Sequence, residues 1–335
     1  MTFSEETDLQ QQVEDLRQAL ARSQRAELKA KRKNADLVEA MYGAVKDSII
    51  ASNPVRLVAP PKDKRKARGE VCLIHLTDWQ AGKKTVSYGL SSLRGRIELM
   101  TQKVMQLTDM QRAHHPVREC VLMLGGDMVE GIGIFPGQSF EIEADLFQQL
   151  FEVVGIIEST VLSLCQYFDK VHVVCEYGNH GRIGRKGDMP NSDNIDRIAY
   201  RIAGDKLCGV HNLTWQESDN WYQMVEIGNY RAMLVHGDEI NSYGGNVPAF
   251  GILRKCNAWA TGVVEEFNDV YMGHFHTPMT LTMANSGRVF VTGSPESHNE
   301  YARVFVAAVG KPSQRLHYVD GDKGRVTAEY TIWLD

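Results

Sequence analysis

The sequence has no paired cysteine motif. Its six cysteines (72, 120, 165, 175, 208 and 256) are scattered without a CxxC spacing. Cys72, Cys120 and Cys175 sit in apolar, strand-like runs, where free cysteine behaves as a small buried hydrophobe. The expectation is a reducing, cytoplasmic compartment without disulfides. No apolar run approaches the ~20 residues that span a bilayer, so no membrane association is expected. The acidic, polar start MTFSEETDLQ does not read as a secretory signal. Proline is missing from residues 5–48, and glycine occurs there once, at Gly43. The glycine-rich stretch GGDMVEGIGIFPG (125–137) lacks the G-K-[ST] ending of a phosphate-cradling P-loop; it reads as a lip over a cleft. No internal repeat is visible.

What is present divides the chain in three. Residues 1–52 are rich in strong helix formers. Leu9, Val13, Leu16 and Leu20 make a short heptad seam, and an apolar stripe resumes at Leu37, Met41 and Val45. A helical, coiled-coil-like arm able to pair two copies is the expectation, against a solvated helix that packs on its own domain. Residues 53–70 hold three prolines and the KDKRKAR cluster, with Lys62, Lys64, Arg65, Lys66 and Arg68 as candidate phosphate contacts in a basic linker. The first 70 residues carry 14 basic and 11 acidic side chains; the remainder carries 23 and 31. The acidic part, 71–335, suits a cation centre and the basic part a polyanion.

From residue 71, Val-, Ile- and Leu-rich runs occur at 71–77, 119–124, 171–176, 231–236, 268–272 and 289–292, with helical stretches near 90–113, 143–168 and 193–207. Alternation of this kind indicates a layered α/β domain. Five of the runs end in residues that bind metals: Asp78-Trp79-Gln80, Gly126-Asp127, Gly178-Asn179-His180, His236-Gly237 and Gly273-His274-Phe275-His276. Ligands of open α/β sheets gather at strand carboxyl ends. Two carboxylates, two amide oxygens and three imidazoles can serve two divalent ions, spaced ~3.5–4 Å apart as in phosphoryl-transfer centres.

This series resembles the calcineurin-like metallophosphoesterases, and within them the SbcD-type DNA nucleases and their phage relatives. The pattern is D-x-H, G-D-x-x-[DE], G-N-H-[DE], an isolated histidine and G-H-x-H, over residues 71–300. Gly293-Ser294-Pro295-Glu296 and Asn299-Glu300-Tyr301-Ala302 look like the closing turn of the phage-type members. The resemblance implies a four-layer α/β/β/α sandwich. It implies that Asp78 and His276 hold one ion, with Gln80 where the family has histidine. Asp127 would bridge, and Asn179, His236 and His274 would hold the second. The ions would be Mn²⁺ or, alternatively, Mg²⁺, since oxygen ligands suit harder ions. A metal-activated hydroxide would attack phosphorus, with His180 as general acid. Arg182, by its proximity, would pair with a phosphate oxygen.

Gln80 and Gly181 depart from the pattern. The first implies a weakened first position; the second means that a carboxylate tuning His180 must come from elsewhere. Glu130 and Asp238 are candidates to orient ligands, and His298 to face the site. The implied activity is hydrolysis of DNA phosphodiesters in a bacterial or phage-infected cell, with DNA as partner and no ATPase partner required. The alternatives are a phosphatase or phosphodiesterase on a nucleotide or phosphoprotein, and a non-catalytic scaffold that kept the fold.

Overall fold

The structure is a computed structural model. It describes residues 69–135, 137–184, 186–187, 189–240, 248–296 and 311–335, with 57, 60, 63–65 and ten positions between 18 and 43. Those ten are helical and exposed. The seam residues Leu9, Val13, Leu16, Leu20, Leu37, Met41 and Val45 lie outside the described residues, as do Lys62, Lys66, Arg68, His298 and 299–302.

Four parallel strands, β1 (Glu70–Leu76), β2 (Val117–Leu124), β3 (Lys170–Cys175) and β4 (Leu213–Glu217), alternate with three helices, α1 (Leu90–Arg112), α2 (Leu146–Tyr167) and α3 (Ile195–Leu207). Strands β10 (Ser313–Asp320) and β11 (Arg325–Trp333) add antiparallel beside β1, giving the order β11-β10-β1-β2-β3-β4. The second sheet has the order β5-β6-β7-β9-β8, built from β5 (Tyr222–Ile227), β6 (Tyr230–Val235), β7 (Asp269–Met272), β8 (Met279–Thr282) and β9 (Arg288–Val291). Helix α4 (Ala249–Ala258) covers its far side.

The strand period of two explains the layering. In β1, Cys72, Ile74 and Leu76 pack toward the three helices, while Leu73 joins Val121, Met123, Tyr271 and Phe290 between the sheets. A third cluster seats Ile252 and Cys256 of α4 on Met233, Val270 and Met272. The result is the α/β/β/α sandwich. Helix α2 is capped by Asp145, whose carboxylate accepts from Gln148 N while the Gln148 side chain accepts from Asp145 N. Such a box satisfies two orphan donors of the first turn. Its buried side recurs at Leu150, Val153, Val154, Ile157, Val161 and Leu164, the helical spacing. It is long and apolar enough to cross a bilayer, yet half of its most apolar window is buried in this fold.

Six apolar runs became β1, β2, β3, β6, β7 and β9. The five ligand-bearing strands are not successive, because β4 and β5 intervene. The strands without an apolar signature include all four sheet edges, β4, β5, β8 and β11. An edge strand is half-solvated and carries a mixed sequence such as LTWQE. The fifth, β10, is interior but buries Arg315 and His317.

Candidate metal centre

The carboxyl ends of β1, β2 and β3 in one sheet, and of β6 and β7 in the other, open on the same end of the sandwich. The loops leaving them carry the motif residues. Among the described residues, six non-glycine residues have positive φ: Asp78 (54°), Gln80 (45°), Asp127 (52°), His274 (64°), His276 (54°) and Ser286 (69°). Five of these six are motif positions. Left-handed backbone is unfavourable for residues with a Cβ and persists where the surroundings over-determine it, most often at functional sites.

Asp127, His236 and His274 bring one ligand atom each within 4.8 Å of one another. His236 Nε2 lies 3.1 Å from Asp127 Oδ2 and 3.2 Å from Asn179 Oδ1. Its Nδ1 donates to Gly125 O at 2.8 Å, which leaves Nε2 to face the other ligands. The His236 and His274 rings meet edge to face, with centroids 5.2 Å apart. Gly178 is required here, because a Cβ would stand 2.1 Å from Asp127 Oδ1. Oxygen and nitrogen donors of this kind, nearly closed on a common point, fit a divalent cation. Burial opposes charge on His236, but the adjacent Asp127 carboxylate holds its imidazole well above the usual range. That carboxylate is itself held below its usual range: burial opposes this, and His236 and His180 outweigh burial. The site therefore already attracts positive charge.

The loop of Asp127 is fastened by a residue without a sequence signature. Asp196, fully buried in the first turn of α3, accepts from the backbone N–H of Asp127 (2.8 Å), Met128 (3.1 Å), Val129 (3.2 Å) and Gly178 (3.0 Å). Burial and the neighbouring Asp127 push its carboxyl up to about 6. Nothing in the pattern IDRIAY distinguishes this aspartate from an ordinary first-turn acid.

On the other side, Asp78 accepts from His274 N with both oxygens at 3.0 Å. His276 Nε2 lies 3.4 Å from Asp78 Oδ1, and its Nδ1 lies 3.3 Å from Glu296 Oε2. Glu296 also pairs with Lys83, Nζ to Oε1 at 3.0 Å, and both side chains are almost wholly buried. Gln80 reaches the site as expected, but its Oε1 accepts from Lys83 Nζ at 3.3 Å and its Nε2 faces His276 Nε2 at 3.3 Å. The expected oxygen ligand is therefore turned away from the centre. Ser294 donates to Asp78 O, and Gln314 ties Thr77 to Gly293, joining the two sheets beneath this loop.

His180 lies at the rim. Its N donates to Asp127 Oδ1 at 2.7 Å, and its Nδ1 faces Glu130 O at 2.9 Å and Glu130 Oε2 at 3.4 Å. Glu130 thus supplies the carboxylate that Gly181 does not. A side chain at 181 has no room, since its Cβ would fall 2.2 Å from Asn194 Oδ1. Burial works against a charged His180, but Asp127 and Glu130 raise it to about 9. Next to Asp238, burial pushes Glu239 up to about 7, and Glu239 accepts from Gly237 N.

Two groups of expected phosphate contacts have protein partners in the structure. Arg182 does not present its fork to the cleft: Nη1 donates to Asn179 O at 3.0 Å and Nη2 to Ile134 O at 2.8 Å. It fastens the glycine-rich lip, whose Phe135 meets the His180 ring at 6.0 Å. The described part of the basic linker lies at the opposite end of the sandwich. Arg65 pairs with Asp63 and donates to Arg112 O and His115 O, beside the start of β2. Asp127 follows the far end of that eight-residue strand, roughly 25 Å away at the usual rise per residue. Lys64, exposed, sits with it.

No family model matches the sequence. The chain is 20% identical over 327 residues to the DNA polymerase II small subunit of Methanocaldococcus jannaschii, covering 84% of this chain and 50% of that protein. It thus spans about half the length of that relative. Similar solved structures include zinc-bound Vps29 of Entamoeba histolytica, with 11% identity, a TM-score of 0.33 and coverage of 79% of this chain and 99% of that one. A Streptococcus pneumoniae protein described as a predicted phosphoesterase has 11% identity, a TM-score of 0.32 and coverage of 79% and 100%. The architecture is the one that the resemblance to calcineurin-like metallophosphoesterases implied.

Proposed function

We propose that this protein is a metal-dependent phosphoesterase that cleaves phosphodiester bonds in DNA. The observation that carries this reading is the convergence of Asp78, Asp127, Asn179, His236, His274 and His276, from both sheets, at one end of the sandwich. DNA is favoured as substrate by the nuclease-type motif order, and the curated relative is a DNA polymerase subunit. Asp127, Asn179, His236 and His274 would hold one ion, and Asp78 with His276 a second; Mn²⁺ is favoured over Mg²⁺. Divalent ions bound there would supply Lewis acidity and a lowered pKa for bound water.

The chain's own residues do the rest. His180, oriented through Nδ1 by Glu130, turns Nε2 toward the Asp127 side of the cleft, 4.0 Å from Asp127 Oδ2. From there it delivers a proton to the leaving oxygen. Gly125 O and Asp196 hold the ligand loops rigid, so that little reorganisation is needed as charge builds on the phosphoryl oxygens. Arg182 and the 131–135 lip border His180.

The test is cleavage of linear and circular DNA, single- and double-stranded, with Mn²⁺, Mg²⁺ or EDTA, beside Asp127→Ala and His180→Ala. Metal-dependent cutting that both variants lose is the expected result. Metal binding without cutting any DNA would move the reading to another phosphoester.

A further inference from the structure

Beside Asp78 and His276 lies a buried cation that the reaction above does not use. Lys83 is 3% exposed, and its N donates to Gln80 O at 3.0 Å in the turn after β1. Its Nζ lies 3.0 Å from Glu296 Oε1 and 3.3 Å from Gln80 Oε1. An ammonium has protons to give and no lone pair to receive one, so the Gln80 atom facing it must be the oxygen. That assignment fixes the other end of the amide. The Gln80 NH₂ group faces His276 Nε2 at 3.3 Å, and an amide NH₂ does not ligate a metal. Reversing the amide would set its N–H bonds against the ammonium. Gln80 is 2% exposed, so water is not at hand to replace the lost bond. Backbone strain does not help it move, because Gln80 N donates to Asp127 O at 2.9 Å and anchors the turn.

We propose that Lys83 disables Gln80 as a ligand. The centre then holds one divalent ion tightly, on Asp127, Asn179, His236 and His274, and a second only weakly, on Asp78 and His276. The inference rests on the metal-centre reading above. Glu296 completes the device. The carboxylate that neutralises Lys83 through Oε1 also faces His276 Nδ1 through Oε2 at 3.3 Å. Gln80, His276, Glu296 and Lys83 therefore form one closed polar group, in which the ammonium contributes a fixed positive charge close to where the second ion would sit.

The test is titration of the metal-stripped full chain with Mn²⁺, read by calorimetry and by electron paramagnetic resonance. The wild type should bind one equivalent tightly and a second at least about tenfold more weakly, since loss of a fixed ligand or its support weakens metal sites by 10–100-fold. At low loading it should give the signal of isolated Mn²⁺. The double variant Lys83→Met/Glu296→Gln removes both charges and frees the amide. Gln80→His supplies a nitrogen donor that Lys83 cannot turn, and carries the test if the double variant does not fold. Either change should tighten the second equivalent about tenfold or more and bring in an exchange-coupled two-ion signal. Two equally tight equivalents in the wild type, or a second affinity unmoved in the folded variants, would overturn the inference while leaving the metal centre intact. Binding of no Mn²⁺ at all would remove the metal-centre reading itself, and this inference with it.

Discussion

On the Asp127 side of the centre, one buried carboxylate, Asp196, gathers four backbone N–H bonds, and a carbonyl orients His236. On the Asp78 side, His276 is set by Glu296, which is itself neutralised by Lys83. Both arrangements hold a ligand still. They differ in what they leave for a metal. On the first side, Asp127 Oδ2 and Asn179 Oδ1 both face His236 Nε2, at 3.1 and 3.2 Å, and remain aimed at a common point. The ion pair brings a second cation into the site, and that cation takes the Gln80 oxygen. The first support leaves its ligand oxygens clear of an ammonium, whereas the second brings one into the site.

His180 touches both the Asp127 side and the cleft, and its loss should have the greatest consequence. His180→Ala should lower kcat by about 10²–10⁴-fold, the range for a lost general acid. Mn²⁺ affinity should stay nearly constant, because His180 contributes no ligand atom to the cluster. A parallel collapse of Mn²⁺ binding in calorimetry would place His180 inside the tight position and redraw the two sides.

A smaller effect distinguishes the two supports. Asp196→Ala strands four buried N–H groups and should cost about 3 kcal/mol or more in urea denaturation. The double change Lys83→Met/Glu296→Gln keeps an acceptor for His276 and removes both buried charges together; it should cost about 1 kcal/mol. The former should also loosen Mn²⁺ at the tight position. Equal costs would mean that the backbone-held side has no mechanical advantage.

The smallest effect lies beneath both sides, in the layer between the sheets. Burial, reinforced by Arg315 and His236, pushes His75 down to about 3. Burial, with Arg315 and Arg288, also holds His317 well below its usual range. Both are neutral in the folded protein and gain protons only on unfolding. Their contribution is therefore complete above pH 6.5 and is lost progressively as pH falls from there toward 3. At pH 5 the loss for His75 alone is about 2 kcal/mol. Urea denaturation of wild type and His75→Gln at pH 7.5 and pH 5 checks this: between the two pH values the stability gap between wild type and variant should shift by about that amount in the variant's favour.

Legibility followed burial. Helices α1, α2 and α3 and the interior strands other than β10 carry apolar faces at helical or strand spacing, and the runs marked them to within a few residues. Edge strands carry mixed sequences and leave no such trace. At the centre, the residues at strand ends were visible because type and position coincide, as in Gly126-Asp127 and Gly273-His274-Phe275-His276. Asp196, Lys83 and Glu296 were not visible as partners. An aspartate in a first helical turn, a lysine after a strand and a glutamate in a closing turn each have ordinary surface explanations. Arg182 was visible as a fork beside the motif, but its carbonyl partners on Asn179 and Ile134 were not.

Strand period, turn chemistry and residue type are local properties, and they already dictate which donor atoms this protein can bring to one end of a sandwich. Which of those donors face the centre depends on contacts between distant parts of the chain. Asp127 is fixed by a residue 69 positions away, and Asp78 by one 196 positions away. The Gln80 amide is turned by Lys83, whose own charge is balanced from the other sheet's closing turn. A hydrogen bond depends on ångströms and angles between groups that meet only when both sheets have closed on each other.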